Sequence, residues 1–389
     1  MLVPLADATV NTCGAKAAGL ATLIRAGLPV PAGVVLPAGV VVPARVVVPD
    51  GVVDELGRWL GRMGDPLVAV RSSAANEDTV FTSAAGQHDS FLGVRGLPAV
   101  LDAVRACRAS VWTSRAVAYR DGAEPPSMAV IVQLQLDPEV SGVMFTGDGT
   151  TTIEASWGLG PSVVEGRVTP DRYQVANGAV RSTIADKRTT LTLSGLHQVP
   201  VARRRIPTLS DATALHLGDL AQQAAAALAA PQDLEWAIAA NTPWLLQSRP
   251  ITAQPPPAPT NTPPTSPTAP QTSPTSSGTS PAAFSGVLTG TPGSHGTATG
   301  PARVVRGPAD FPRVRPGDIL ICPFTDPAWT PLLSIAAGVV TEQGGLLSHA
   351  AIIARERRIP AVLAVPHATT KLTDNTPTTI NGTTGTVHL

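Results

Sequence analysis

The sequence predicts a multidomain chain, α/β and α+β, with one folded part over residues 1–252 and another over residues 284–389. Three observations carry this. Over the first stretch, β-branched runs alternate with alanine- and leucine-rich segments of helical period, as strands and helices around ordinary cores do. From Gln254 to Pro281 the chain is almost wholly Pro, Thr, Ser, Ala, Gln and Asn, without apolar periodicity, and cannot bury a core. Near Phe284 a glycine-rich β pattern resumes and leads to one apolar helix and a last strand pair ending at Leu389. Residues 253–283 therefore read as a disordered linker leaning to polyproline II. About 30 residues at ~3.1 Å each would span roughly 90 Å when fully extended, so the second part is free to visit distant surfaces.

Composition narrows the function classes. A length of 389 residues suits two or three domains. The 28 basic and 28 acidic side chains balance, so neither nucleic acid nor an anionic membrane is an expected partner. Cys13, Cys107 and Cys322 lie far apart in no metal or redox spacing, which fits a reducing setting. No basic segment precedes an apolar leader, and no apolar run approaches the ~18 residues a spanning helix needs. The expectation is a cytoplasmic protein without a membrane segment.

The most informative stretch is Val339 to Glu356. Ala337 to Thr341 reads as a buried strand, Gly344-Gly345 as a turn, and Ser348 as an N-cap opening an alanine-rich helix that ends before Pro360. His349 then stands in the first turn, where amide N–H groups and the positive helix end converge. An imidazole there can take a phosphoryl group whose oxygens the backbone and Arg355 would hold. A histidine at a helix start is, by itself, more often a capping or packing residue.

A second constellation lies in the first part. Gly14-Ala15-Lys16 precedes a helix, and Val68 to Arg71 reads as a strand delivering an arginine to a turn. The small residues around Gly86 and Gln87 would let a loop fold over phosphates. Met128 to Phe145 is a long apolar run broken near Asp137-Pro138, as expected of a buried hairpin, and Gln133, Leu134, Gln135 and Leu136 offer edge groups to a purine. Alternation puts Asp233 and Glu235 on one face of a strand, and Gln247 and Arg249 on one face of the next. Antiparallel pairing would gather a carboxylate, an amide oxygen and a guanidinium. Oxygen donors suit Mg²⁺, and Arg249 suits a transferring phosphoryl group. On pattern alone a surface ladder of ion pairs fits equally well.

The strings TEQGGLLSHAAIIARERRIPAV, AKAAGL…AGLPVPAG, VAVRSSAANED, EVSGVMFT, GLGPSVVEGRVTPDRY and QDLEWAI…LLQSRPIT resemble the motifs of the PEP-utilising enzymes. These are PEP synthase, pyruvate phosphate dikinase and the rifampicin phosphotransferases, and the strings stand in family order. The resemblance implies an ATP-grasp nucleotide-binding domain tethered to a small swivelling β/β/α phosphohistidine domain. It makes His349 the residue that is transiently phosphorylated. Lys16 and Arg71 would contact the ATP phosphates, as would Gly86 and Gln87. Gln133 to Leu136 would form the adenine hinge, Glu235 and Gln247 would hold Mg²⁺, and Arg249 would meet the phosphates being cleaved. The implied activity is ATP-dependent phosphoryl transfer through His349 to a small-molecule hydroxyl or nitrogen, with AMP and phosphate released. An alternative is a carrier half whose acceptor is bound by a separate protein; a non-catalytic binding module is a third.

The sequence also departs from that pattern. Cys13-Gly14-Ala15-Lys16 stands where the family usually has Gly-Gly-Lys, and Pro161 where it has a ribose-contacting Glu, for which Glu165 is the nearest substitute. Leu347 replaces the threonine of the synthases and dikinases, a form closer to the antibiotic phosphotransferases. The segment between Pro31 and Val68 is short, and neither a PEP/pyruvate barrel nor a rifampicin-binding insert is expected within 389 residues.

Overall fold

The computed structural model describes residues 1–39, 48–74, 90–113, 116–117, 127–147, 149–251 and 286–389. The expectations placed on Gly86, Gln87 and the linker 253–283 lie outside the described residues.

The first part is built on two sheets. One has five strands, β1 (Val3–Pro4), β2 (Gly33–Gly39), β3 (Val68–Ala74), β4 (Ser90–Val94) and β5 (Met128–Leu134), in the order β1-β2-β5-β3-β4. The other contains β6 (Val140–Thr146), β7 (Thr150–Trp157), β8 (Asp171–Ala176) and β9 (Ala179–Thr183), while β10 (Thr189–Thr192) and β11 (Gly195–Gln198) form a separate ribbon. Two late strands, β12 (Gln232–Ala239) and β13 (Thr242–Pro250), complete the second sheet in the order β13-β12-β6-β7-β8-β9. Helices α2 (Asp50–Arg62) and α3 (Leu97–Ala109) cover the five-stranded sheet through Leu56, Leu60, Val100, Val104 and Cys107. Helix α1 (Val10–Arg25) and the helix Asp211–Leu228 fill the space between the sheets with Ala17, Leu20, Ala21, Leu217, Ala221 and Ala224. Small residues on both helices let their backbones approach the strands closely.

The expected hairpin over Met128–Phe145 does not form. Strand β5 pairs with β2 and β3, whereas β6 pairs with β12 and β7. Both are interior strands, buried on both faces, so the apolar run is continuous and periodicity could not tell one sheet from two. The break at Gln135–Glu139 is the crossing from one sheet to the other.

The last part is an eight-stranded sheet. In chain order its strands are β14 (Val287–Thr289), β15 (Thr291–Ser294), β16 (Thr297–Val304), β17 (Ile319–Cys322), β18 (Gly338–Thr341), β19 (Ala361–Leu363), β20 (Pro377–Asn381) and β21 (Thr386–His388). Strands β16 to β19 run parallel at its centre, and antiparallel strands flank them. Strand β18 feeds the glycine turn, where Gly344 has φ of 104°, and the turn leads into the helix His349–Arg357. Ser348 holds the N-cap position with extended backbone, but its hydroxyl donates to the Gly345 carbonyl at 2.8 Å instead of capping an amide. His349 to Ala354 are all buried, so this short helix is enclosed rather than amphipathic. No helix among the described residues is long and apolar enough to cross a membrane.

Candidate functional site

Both constellations open on one cavity of about 540 Å³. Lys16, Arg71, Gln133 to Leu136, Glu235, Gln247 and Arg249 line it, and so do His349 and Ile352 from the last part. This volume lies in the range of small-ligand sites.

Lys16 reaches the cavity through a strained turn. Gly14 has φ of 79° inside α1, and a Cβ there would fall 2.2 Å from the Ser73 carbonyl oxygen. Only glycine allows that approach. The Ala17 amide donates to Ser73 Oγ at 3.1 Å, locking the helix onto β3 two residues from Arg71.

The β12–β13 register brings together what alternation predicted. Asp233 faces Arg249 and Glu235 faces Gln247 across the antiparallel pair. Arg249 Nε donates to Asp233, and both side chains are buried. Arg71 Nη2 donates to Glu235 Oε2 at 3.1 Å and to Gln247 Oε1 at 2.7 Å, while Nη1 donates to the Leu246 carbonyl at 2.6 Å. The surface-ladder reading fails, because these pairs line a cavity. One carboxylate oxygen and one amide oxygen converge on a single cationic nitrogen, a donor set that fits Mg²⁺ when phosphate oxygens and water complete the shell. Among the described residues no cluster of three His, Cys, Asp or Glu side chains is placed to hold a metal without such help.

Along the crossing segment, Gln133 Nε2 donates to the Pro31 carbonyl at 2.9 Å and Gln135 Nε2 to that of Leu136 at 2.6 Å. Each amide nitrogen thus bonds the backbone once, while Gln135 Oε1 is buried with no hydrogen-bond partner among the described residues. Pro161 and Glu165 also line it; burial raises the Glu165 carboxyl against the pull of Arg167, whose Nε lies 2.6 Å away.

His349 is 3% exposed. Its Nδ1 lies 2.9 Å from Thr325 Oγ1 and its Nε2 3.3 Å from Thr330 Oγ1. Burial, and then the charge of Arg249, hold the imidazole down to about 3 from its ordinary 6.5. It is neutral at any ordinary pH. Arg355, expected to meet a phosphoryl group, spends Nη1 on the carbonyls of Gly293 and Leu346, at 3.0 and 2.8 Å. Among the described residues its Nε and Nη2 are buried with no hydrogen-bond partner, and burial lowers the group to about 10 against the pull of Glu154.

Sequence reasoning missed several of these groups. Thr325 and Thr330 carried no signal, since hydroxyl residues before a short helix read as turn formers. Glu154 had one: a lone carboxylate in the strand Thr-Thr-Thr-Ile-Glu-Ala-Ser-Trp. It is 1% exposed and accepts from the amides of Leu346 and Leu347 at 2.7 and 3.1 Å. Burial raises its carboxyl, while Arg172 and the two amides pull the other way.

The chain matches the family model described as pyruvate phosphate dikinase, AMP/ATP-binding domain, over residues 44–268. It matches the model of the mobile domain of PEP-utilising enzymes over residues 314–385. It is 35% identical to a probable phosphoenolpyruvate synthase of Methanothermobacter thermautotrophicus, over 83% of this chain and 47% of that protein. With the phosphoenolpyruvate synthase of Pyrococcus furiosus the identity is 34%, over 82% of this chain and 41% of the relative. With that of Escherichia coli it is 32%, over 82% and 43%. The chain thus spans less than half the length of these relatives. Its first match alone covers more than half of its residues, and it belongs to the pyruvate phosphate dikinase family, with a nucleotide-binding domain followed by a PEP-utiliser mobile domain.

Proposed function

We propose that the protein is an ATP-dependent phosphotransferase of dikinase type, in which ATP phosphorylates His349 and His349 passes the group to a hydroxyl or nitrogen of a small molecule. The observation that supports this most is that His349 lines the same cavity as Lys16, Arg71, Glu235, Gln247 and Arg249. ATP, one water and His349 balance to AMP, orthophosphate and phospho-His349. Lys16, Arg71 and Arg249 would hold the phosphates, and Arg249, which already acts on the imidazole electrostatically, would stand nearest the group in transit. Glu235 and Gln247 would hold Mg²⁺, which neutralises phosphate charge. Gln133 to Leu136 would seat the base.

A neutral imidazole has one nitrogen with a lone pair. A proton on Nδ1, donated to Thr325, leaves Nε2 unprotonated and facing Thr330, as attack on phosphorus requires. Arg71 now bonds both oxygens assigned to the metal, so it would move to the phosphates as Mg²⁺ and nucleotide arrive together.

A second reading has the acceptor bound by a separate protein. The test uses ATP labelled in its β- and γ-phosphates. The wild type should gain acid-labile label on His349 and release AMP. His349→Ala should bind ATP with unchanged affinity and take no label. Release of ADP alone, or full turnover by the variant, would remove the histidine from the pathway. AMP formation that depends on an added metabolite and on no other protein would decide for the first reading.

A further inference from the structure

We infer that Glu154 is a positioning residue that docks the mobile domain for phosphorylation and takes no part in the later delivery of the phosphoryl group; this rests on the function proposed above.

Glu154 belongs to β7, an interior strand of the six-stranded sheet, and it does not line the nucleotide cavity. Its carboxylate crosses to the mobile domain, where each oxygen takes one amide of the segment that immediately precedes His349. The fit is close. A Cβ on Gly345 would lie 2.2 Å from Glu154 Oε2, and one on Gly166 would lie 3.2 Å from the Ser348 Cβ. Around this contact an apolar cluster mixes the two parts, with Val143, Phe145, Val163 and Val168 against Leu346, Leu347 and Ile352.

The chemistry explains the choice of a carboxylate. An ion is costly to bury unless its partners are in place. Here Arg172 at 3.8 Å lies on the same sheet, but both hydrogen bonds come from the other domain. The carboxylate is therefore well placed only when the loop sits in this register, three residues from His349. An apolar contact would tolerate sliding, and this one does not. Leu347 has its own part: it is 1% exposed within the mixed cluster.

Glu154→Ala removes the anchor from one side. Gly345→Ala forces a methyl against Glu154 from the other side, leaving the nucleotide-binding domain untouched. In each variant, single-turnover phosphorylation of His349 by saturating Mg-ATP should fall at least about twentyfold, with ATP affinity unchanged. Amide exchange at residues 346–352 should quicken. Phospho-His349 installed chemically with phosphoramidate should lose its group to water or acceptor at the wild-type rate. Glu154→Asp, which keeps the charge but shortens the reach, should recover part of the phosphorylation rate. Phosphorylation within threefold of wild type in both variants would overturn the anchor. So would loss of ATP binding in both, which would make Glu154 a folding residue. Failure of the wild type to label His349 at all would instead defeat the function on which the inference rests.

Discussion

Glu235 and Gln247 face each other across the β12–β13 pair, and both accept from the same nitrogen of Arg71. The two oxygens thus meet at one cationic nitrogen, and strand register brings them there. Glu235→Ala or Gln247→Ala should therefore lower Mg²⁺-dependent phosphorylation of His349 by about a hundredfold or more, since loss of one protein oxygen leaves the metal poorly held. Quenched-flow labelling across a Mg²⁺ titration measures this. Rates within a few-fold of wild type in both variants would place the metal elsewhere.

The enclosed imidazole leads to a pH prediction. Its pKa in this pose is lowered to about 3 from 6.5, so the neutral form of the enclosed ring is favoured throughout the range above 3. Single-turnover phosphorylation of the docked protein should then show no inflection near pH 6.5. An inflection at that pH, absent from ATP binding, would mean that the reacting histidine meets water.

Thr325 orients that ring from the Nδ1 side. Thr325→Val keeps the shape and removes the hydroxyl. Phosphorylation should slow by about tenfold with ATP affinity unchanged, because the wrong tautomer becomes accessible. A ¹⁵N spectrum of the imidazole reads the tautomer directly, and an unchanged spectrum with an unchanged rate would leave Thr325 with packing alone.

The expectation that residues 254–283 act as a tether is tested by length against sequence. Replacing residues 254–283 by a Gly/Ser chain of equal length should hold activity within about tenfold, since the effective concentration of a tethered domain varies slowly with stiffness. Cutting it to about five residues, at ~3.3–3.6 Å each, should separate the half-reactions. Mixing two shortened chains, one lacking His349 and one lacking Glu235, would report delivery between chains. Full single-chain activity in the short form would mean that both half-reactions use one pose.

Much of the site could be read in the sequence because its residues sit on regular strands. Period-two alternation placed Asp233 with Glu235 and Gln247 with Arg249, and the observed register joined them. The His349 helix and the N-cap position of Ser348 were legible from the glycines, Ser348 and Pro360, but the use of the Ser348 hydroxyl was not, since it serves the Gly345 carbonyl and not an amide. The sheet assignment of Met128–Phe145 failed for a different reason. Interior strands of any sheet share one apolar pattern, so pairing partners leave no local trace. Thr325 and Glu154 act across long stretches of chain, and only the fold shows what they face.

The anchor on Glu154 is made to main-chain amides, not to side chains. Evolution is therefore free to change residues 346 and 347 without touching the contact, provided their bulk still suits the pocket beneath. What it cannot freely change is the count. A single residue inserted or deleted between Leu347 and His349 would change the spacing between the anchored amides and the imidazole, and turn the ring from the cavity it lines. For this contact the identity of residues 346 and 347 is a weaker constraint than the length of the loop that carries them.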